Sequence, residues 1–107
     1  MPSRRQIQVS EILAHLAADF FARESNGQSL VTVTRADVSP DLKNVTIFFT
    51  VLPTEFEKKV QDFATRNRTD FRDFVKSKAK MKFLPTFDFQ IDYGEKNRQR
   101  IDDLTRS

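Results

Sequence analysis

Apolar residues near the amino end of the chain recur at helical spacing: Ile7, Ile12, Leu13, Leu16, Phe20 and Phe21 fall largely on one face. Ser3 and Gln6 stand just ahead of that stripe at the spacing of a capping box, which predicts a helix over about 4–23. Asn26-Gly27 can take the left-handed conformations that a tight stop requires. The period then shortens. Positions 30–38 are dense in Val and Thr and predict a strand, which Ser39-Pro40-Asp41 breaks. A second strand is predicted over about 44–52, with Val45, Ile47, Phe49 and Val51 on one side and Thr46, Phe48 and Thr50 on the other. So short a connection predicts an antiparallel hairpin.

Pro53 stops the second strand, and Thr54 with Glu57 has the spacing of another capping box. Phe56, Val60 and Phe63 then point a helix inward. The pattern falters over 65–69, where Asn67 can cap a new helix and Asp70 sits near its positive end. Two helices separated by a kink are expected, the second over about 68–82, with Phe71, Phe74, Val75 and Met81 on its buried face. Beyond Pro85, the residues Phe87, Phe89, Ile91 and Tyr93 alternate with Asp88, Gln90 and Asp92, the signature of a strand buried on one face. Gly94 punctuates the chain, and a short terminal helix is expected over about 95–104. The order is helix, strand, strand, helix, helix, strand. It predicts a single α+β domain over 1–107, with its core over about 4–93 and a three-stranded sheet covered by helices on one face.

Composition changes this picture in one respect. The chain has 11 Phe, 1 Tyr and no Trp, so its core must be built from phenylalanine rings. With no Cys and 1 His, disulfides, thiolate metal sites, cysteine nucleophiles and a typical zinc site are all excluded, and no cofactor is expected. Gln6, Gln8, Ser10, Glu11, His15 and Asp19 interrupt the segment after Arg5, so neither a signal peptide nor a membrane span is expected. A monomeric cytoplasmic protein is.

Charge changes it more. Seven basic and two acidic residues lie between Arg66 and Lys82, whereas the whole chain carries a net charge of +3. The positive field is concentrated in one segment and points to a polyanion, nucleic acid before membrane. On the predicted second helix of the pair, Arg68, Arg72, Lys76 and Lys80 recur along one side, widened by Lys78 and Lys82. Like charges at that spacing repel by a few tenths of a kcal/mol per pair, so helix stability does not account for the stripe. At the kink, Arg66, Asn67, Arg68 and Thr69 surround backbone N–H groups that suit a phosphate. Arg4 and Arg5 add charge at the amino end. The bland reading is a solvated basic face.

Several of these segments resemble one family. Thr32-Val-Thr-Arg-Ala-Asp-Val-Ser-Pro-Asp-Leu42 followed by Val45-Thr-Ile-Phe-Phe-Thr-Val51 is similar to the strand–turn–strand signature of ribosome-binding factor A. Arg4-Arg5 before an amphipathic helix, Phe71-Arg72 after the kink and Leu84-Pro-Thr-Phe-Asp-Phe89 resemble its other landmarks, over about 4–104. The resemblance implies a type II KH-like fold. Where the family's kink carries Ala-x-Gly, this chain has Asn67-Arg68-Thr69. It also implies a factor that binds the immature 30S subunit and assists late maturation of 16S ribosomal RNA near the 5′ end and decoding region. Such a factor does no chemistry of its own, and a maturation GTPase is associated with its release. The short segment after Leu104 implies that the longer extension of some relatives is missing. Asp37 with Asp41, or Asp88 with Asp92, are better explained by turn and strand spacing than as catalytic pairs, and no phosphate-binding glycine loop accompanies them. Two alternatives stay open: a protein-binding adaptor of the same fold, and a general single-stranded RNA binder.

Overall fold

A computed structural model of the chain describes residues 2–24 and 27–95. Helix α1 (Arg4–Glu24) leads into strands β1 (Leu30–Val38) and β2 (Asn44–Leu52). A 3-10 turn (Thr54–Phe56), helices α2 (Glu57–Arg66) and α3 (Arg68–Lys78), and strand β3 (Thr86–Ile91) follow. The sheet order is β1-β2-β3, with β1 antiparallel and β3 parallel to the central β2. The terminal helix expected over 95–104 lies, beyond Glu95, outside the described residues.

The capping box forms as its spacing predicts. The Gln6 N–H donates to Ser3 Oγ at 3.1 Å and the Ser3 N–H to Gln6 Oε1 at 2.8 Å. Gln6 Nε2 also donates to the Val38 carbonyl (2.9 Å), which faces away from β2, and Gln61 Nε2 does the same for the Phe89 carbonyl (2.6 Å) on β3. A helix side chain thus occupies an acceptor on each outer edge of the sheet. Gly27 has φ +78, the left-handed stop expected after α1.

Helices cover one face of the sheet. Val45, Ile47, Phe49 and Val51 of β2 meet Phe87, Phe89 and Ile91 of β3 beneath Leu13, Ala17, Phe20 and Phe21 of α1 and Phe71, Phe74 and Val75 of α3. Phe71 sits at the junction, its ring centroid 5.3 Å from Phe20, 4.9 Å from Phe87 and 5.3 Å from Phe89, each edge-on. Edge-to-face contacts of this kind add to the area the rings bury. Strand β1 reaches the same face through a bulge: Val33 pairs with Phe49 and Arg35 with Phe48, leaving Thr34 as the extra residue. Val31 and Val33 before it, and Ala36 and Val38 after it, therefore all turn inward.

Four expectations need correction. Ile7 and Ile12 are 45% and 51% exposed, because the fully buried part of α1 begins at Leu13 and only Val9 before it packs partly against the core. No side-chain bond caps Pro53 or Phe56, and the 3-10 turn stands where the box at Thr54 was expected. Asn67 does not cap α3; its Nδ2 donates backward to the Phe63 carbonyl at 2.7 Å. Helix α3 ends at Lys78 rather than Lys82, Ala79 being extended (φ −123, ψ 135). Continuing the helix would pair Lys76 with Lys80 and Lys78 with Lys82 as like charges one turn apart, and Pro85 biases Leu84 toward extended backbone.

Tyr93 is a fifth departure. It is 65% exposed because β3 ends at Ile91 and Asp92 redirects the chain. The buried Asp92 carboxylate accepts from Thr34 Oγ1 (2.6 Å), from the Glu95 N–H (3.0 Å) and from Arg35 Nη1 (3.0 Å), on the sheet face opposite α1 and α3. The Thr34 hydroxyl first, then the Glu95 N–H and the Arg35 charge, hold its carboxyl below the ordinary 3.8, against the opposing effect of burial. With its folded pKa depressed, Asp92 contributes stability above pH 3.8 and loses it as pH falls through the folded value. Asp92→Asn is expected to cost about 2 kcal/mol at pH 7. That difference should shrink when denaturant midpoints of both proteins are compared at about pH 3. A gap that stays constant with pH would show that the charge plays no part.

Candidate nucleic-acid interface

The cations singled out in the sequence do not form one stripe. Helix α3 is 11 residues long, so its ends lie about 16 Å apart. Arg66, Asn67, Arg68 and Thr69 gather at the kink; Lys78, Lys80 and Lys82 gather at the far end. Arg72 and Lys76 lie exposed between them. Lys80 and Lys82 are off the helix altogether, in the connection 79–85.

At the kink the arginines already have partners. Arg68 Nη1 pairs with Asp88 Oδ1 at 2.8 Å and its Nε donates to the Thr65 carbonyl; Arg66 Nε donates to the Asp62 carbonyl at 3.3 Å. The Arg68–Asp88 pair is half exposed and adds little stability, yet a phosphate would have to compete with it. The first hydrogen bond of α3 runs from the Phe71 N–H to the Asn67 carbonyl (2.9 Å), so the N–H groups of Arg68, Thr69 and Asp70 precede its ladder.

The other end is built differently. The amino half of α1, the β1–β2 turn and the 79–85 connection enclose a groove of about 1170 Å³. Arg5, Lys43, Lys78, Lys80 and Lys82 line it, against one carboxylate, Asp41. Among the described residues none of these five cations is ion-paired. Asp41 is occupied by the turn: it accepts from Ser39 Oγ at 2.6 Å and from the Lys43 N–H at 3.0 Å, which lowers its pKa below 3.8. Lys76 and Lys78 also complement the negative end of the α3 dipole, which gives them a purely structural role as well.

The groove has an apolar floor of Val9, Ile12, Leu42, Met81 and Leu84, with Phe83 at 79% exposure beside it. Lys82 Nζ stands 5.6 Å from the Phe83 ring centroid. Leu42 has φ 62, the left-handed region, where a side chain costs about 1 kcal/mol relative to glycine. Arg5 joins the groove, whereas Arg4 is not part of its lining. Sequence reasoning missed Lys43, Leu42 and Phe83. Lys43 and Leu42 lay between the predicted strands, where no binding role was read, and Phe83 belonged to no periodic pattern. Phe48, on the other side of β2 from the core, is half-buried under Arg35, whose guanidinium lies 4.0 Å from its centroid. That face also carries Asp37, Asp88 and Asp92, which makes it a poor surface for phosphate.

The family model for ribosome-binding factor A matches residues 5–105. The chain is 34% identical to ribosome-binding factor A of Rhodopseudomonas palustris (strain TIE-1), over 98% of this chain and 80% of that protein. It is 32% identical to that of Methylobacterium nodulans, over 99% of this chain and 82% of the relative. The crystal structure of ribosome-binding factor A from Thermus thermophilus superposes with a TM-score of 0.71 at 15% identity, covering 80% of this chain and 94% of that one. A Thermus thermophilus ribosome binding factor A homology model, fitted into the cryo-EM map of a 30S complex, superposes with a TM-score of 0.65 at 16% identity, covering 76% of this chain and 88% of that one.

Proposed function

Since this chain belongs to the ribosome-binding factor A family, we propose that it binds the small ribosomal subunit and assists late maturation of 16S ribosomal RNA without covalent chemistry. The observation that carries this reading is the groove in which five cations converge from α1, the β1–β2 turn, the end of α3 and the 79–85 connection, none of them ion-paired among the described residues. A lysine-rich helix face arises readily as a solvated surface. Cations from α1, the β1–β2 turn and the 79–85 connection around one apolar floor do not follow from solubility alone. Binding stabilises the RNA conformer that fits the groove over those that do not, which is how a protein without catalytic groups changes the course of folding RNA. Release by a maturation GTPase, and action as a monomer, belong to the same proposal. The glutamine contacts at both outer sheet edges weigh against an adaptor that recruits a partner by strand addition.

Co-sedimentation with immature small, mature small and large subunits at two salt concentrations tests the proposal. Salt-sensitive binding confined to small-subunit particles is the expected result. A well-folded protein that sediments with none of them would overturn it.

A further inference from the structure

Resting on the ribosome-binding reading above, we propose that the groove takes an unpaired RNA strand, with a base stacked on Phe83 and the flanking phosphates on Arg5, Lys80 and Lys82. A row of cations alone serves duplex and single strand equally. What separates the two is whether base faces are available. In an A-form helix they are hidden in the stack, whereas an unpaired strand presents them to aromatic and apolar side chains.

Phe83 is the one exposed ring among the 11 phenylalanines, at 79%, on a chain that otherwise buries or half-buries them. It stands outside regular secondary structure, beside Lys82, and lines the same groove as Ile12, itself 51% exposed. The floor beneath is held at a conformational cost. Leu42 occupies a left-handed position that glycine would fill without strain, and its aliphatic side chain lines the groove. The kink offers phosphates no such companion, since Phe71 beneath it is fully buried and Arg68 is held by Asp88.

The test uses the full chain and two labelled probes, an unstructured RNA oligonucleotide of about 12 nucleotides and a duplex of about the same length. Binding is read by fluorescence anisotropy at two salt concentrations. The single strand should bind at least about tenfold more tightly. Phe83→Ala should weaken single-strand binding by about 5- to 100-fold, leave the duplex unaffected and leave the salt dependence unchanged. Phe83→Tyr, which keeps a stacking ring, should retain the affinity. Leu42→Gly should weaken the single strand while leaving the thermal midpoint equal or higher. Equal affinity for both probes, or an unchanged Phe83→Ala, overturns the proposal. Co-sedimentation run in parallel separates the two readings. A wild-type protein that sediments with small subunits yet shows no strand preference refutes the unpaired-strand assignment alone. One that binds no small-subunit particle removes the reading on which it rests.

Discussion

Phe71→Ala is expected to remove about 4 kcal/mol of stability and to lower Tm by roughly 20 °C. Its side chain is 0% exposed and its ring meets Phe20 of α1 and both Phe87 and Phe89 of β3, so one truncation opens a void where three elements converge. The neighbours cannot close on it. Phe20 is also held edge-on against Phe21, and Phe21 against Phe89, so each ring is fixed by others. A domain of 107 residues has roughly 5–15 kcal/mol in total, so the loss takes about a quarter or more of its stability. Denaturant titration with Phe83→Ala as the exposed control measures this. A loss below about 1 kcal/mol would mean that the core repacks around the gap.

The largest effect on binding is expected from the groove. Replacing Arg5, Lys78, Lys80 and Lys82 together by Gln should weaken binding to small-subunit RNA by two or more orders of magnitude. The slope of log affinity against log salt should flatten by about 3, since each phosphate contact on a single strand contributes roughly 0.7. All four side chains are exposed and among the described residues none is ion-paired, so the fold should survive within about 1 kcal/mol. The three arginines at the kink, Arg66, Arg68 and Arg72, should cost less per cation removed, because Arg66 and Arg68 already donate to protein acceptors. A kink variant that loses more affinity than the groove variant would move the interface to the other end of α3.

The elements were legible wherever one period ran unbroken. Strand β2 alternates without interruption, and its predicted bounds of 44–52 match the observed Asn44–Leu52. The capping box at Ser3 was readable because both its hydrogen bonds are local. Helix α3 was over-extended because 76–82 carries helix-compatible residues throughout, although lysines one turn apart and Pro85 both disfavour its continuation. Asp92 read as one polar position in an alternating strand, since its partners Thr34 and Arg35 lie 58 and 57 residues away. The candidate site was half legible: charge density located Lys78, Lys80 and Lys82, but a linear pattern cannot show that a turn 35 residues earlier brings Lys43 beside them.

The bulge at Thr34 has a reach beyond its own strand. Without that residue β1 would read Leu30-Val31-Thr32-Val33-Arg35-Ala36-Asp37-Val38, an unbroken alternation with every inward residue still inward. The hairpin's phase therefore does not depend on Thr34, and a lineage could drop that one position without turning the strand inside out. What it would forfeit is the hydroxyl that grips Asp92, and with it the bend by which the chain leaves β3. One supernumerary residue in the first strand thus helps hold the bend at Asp92 that closes the last.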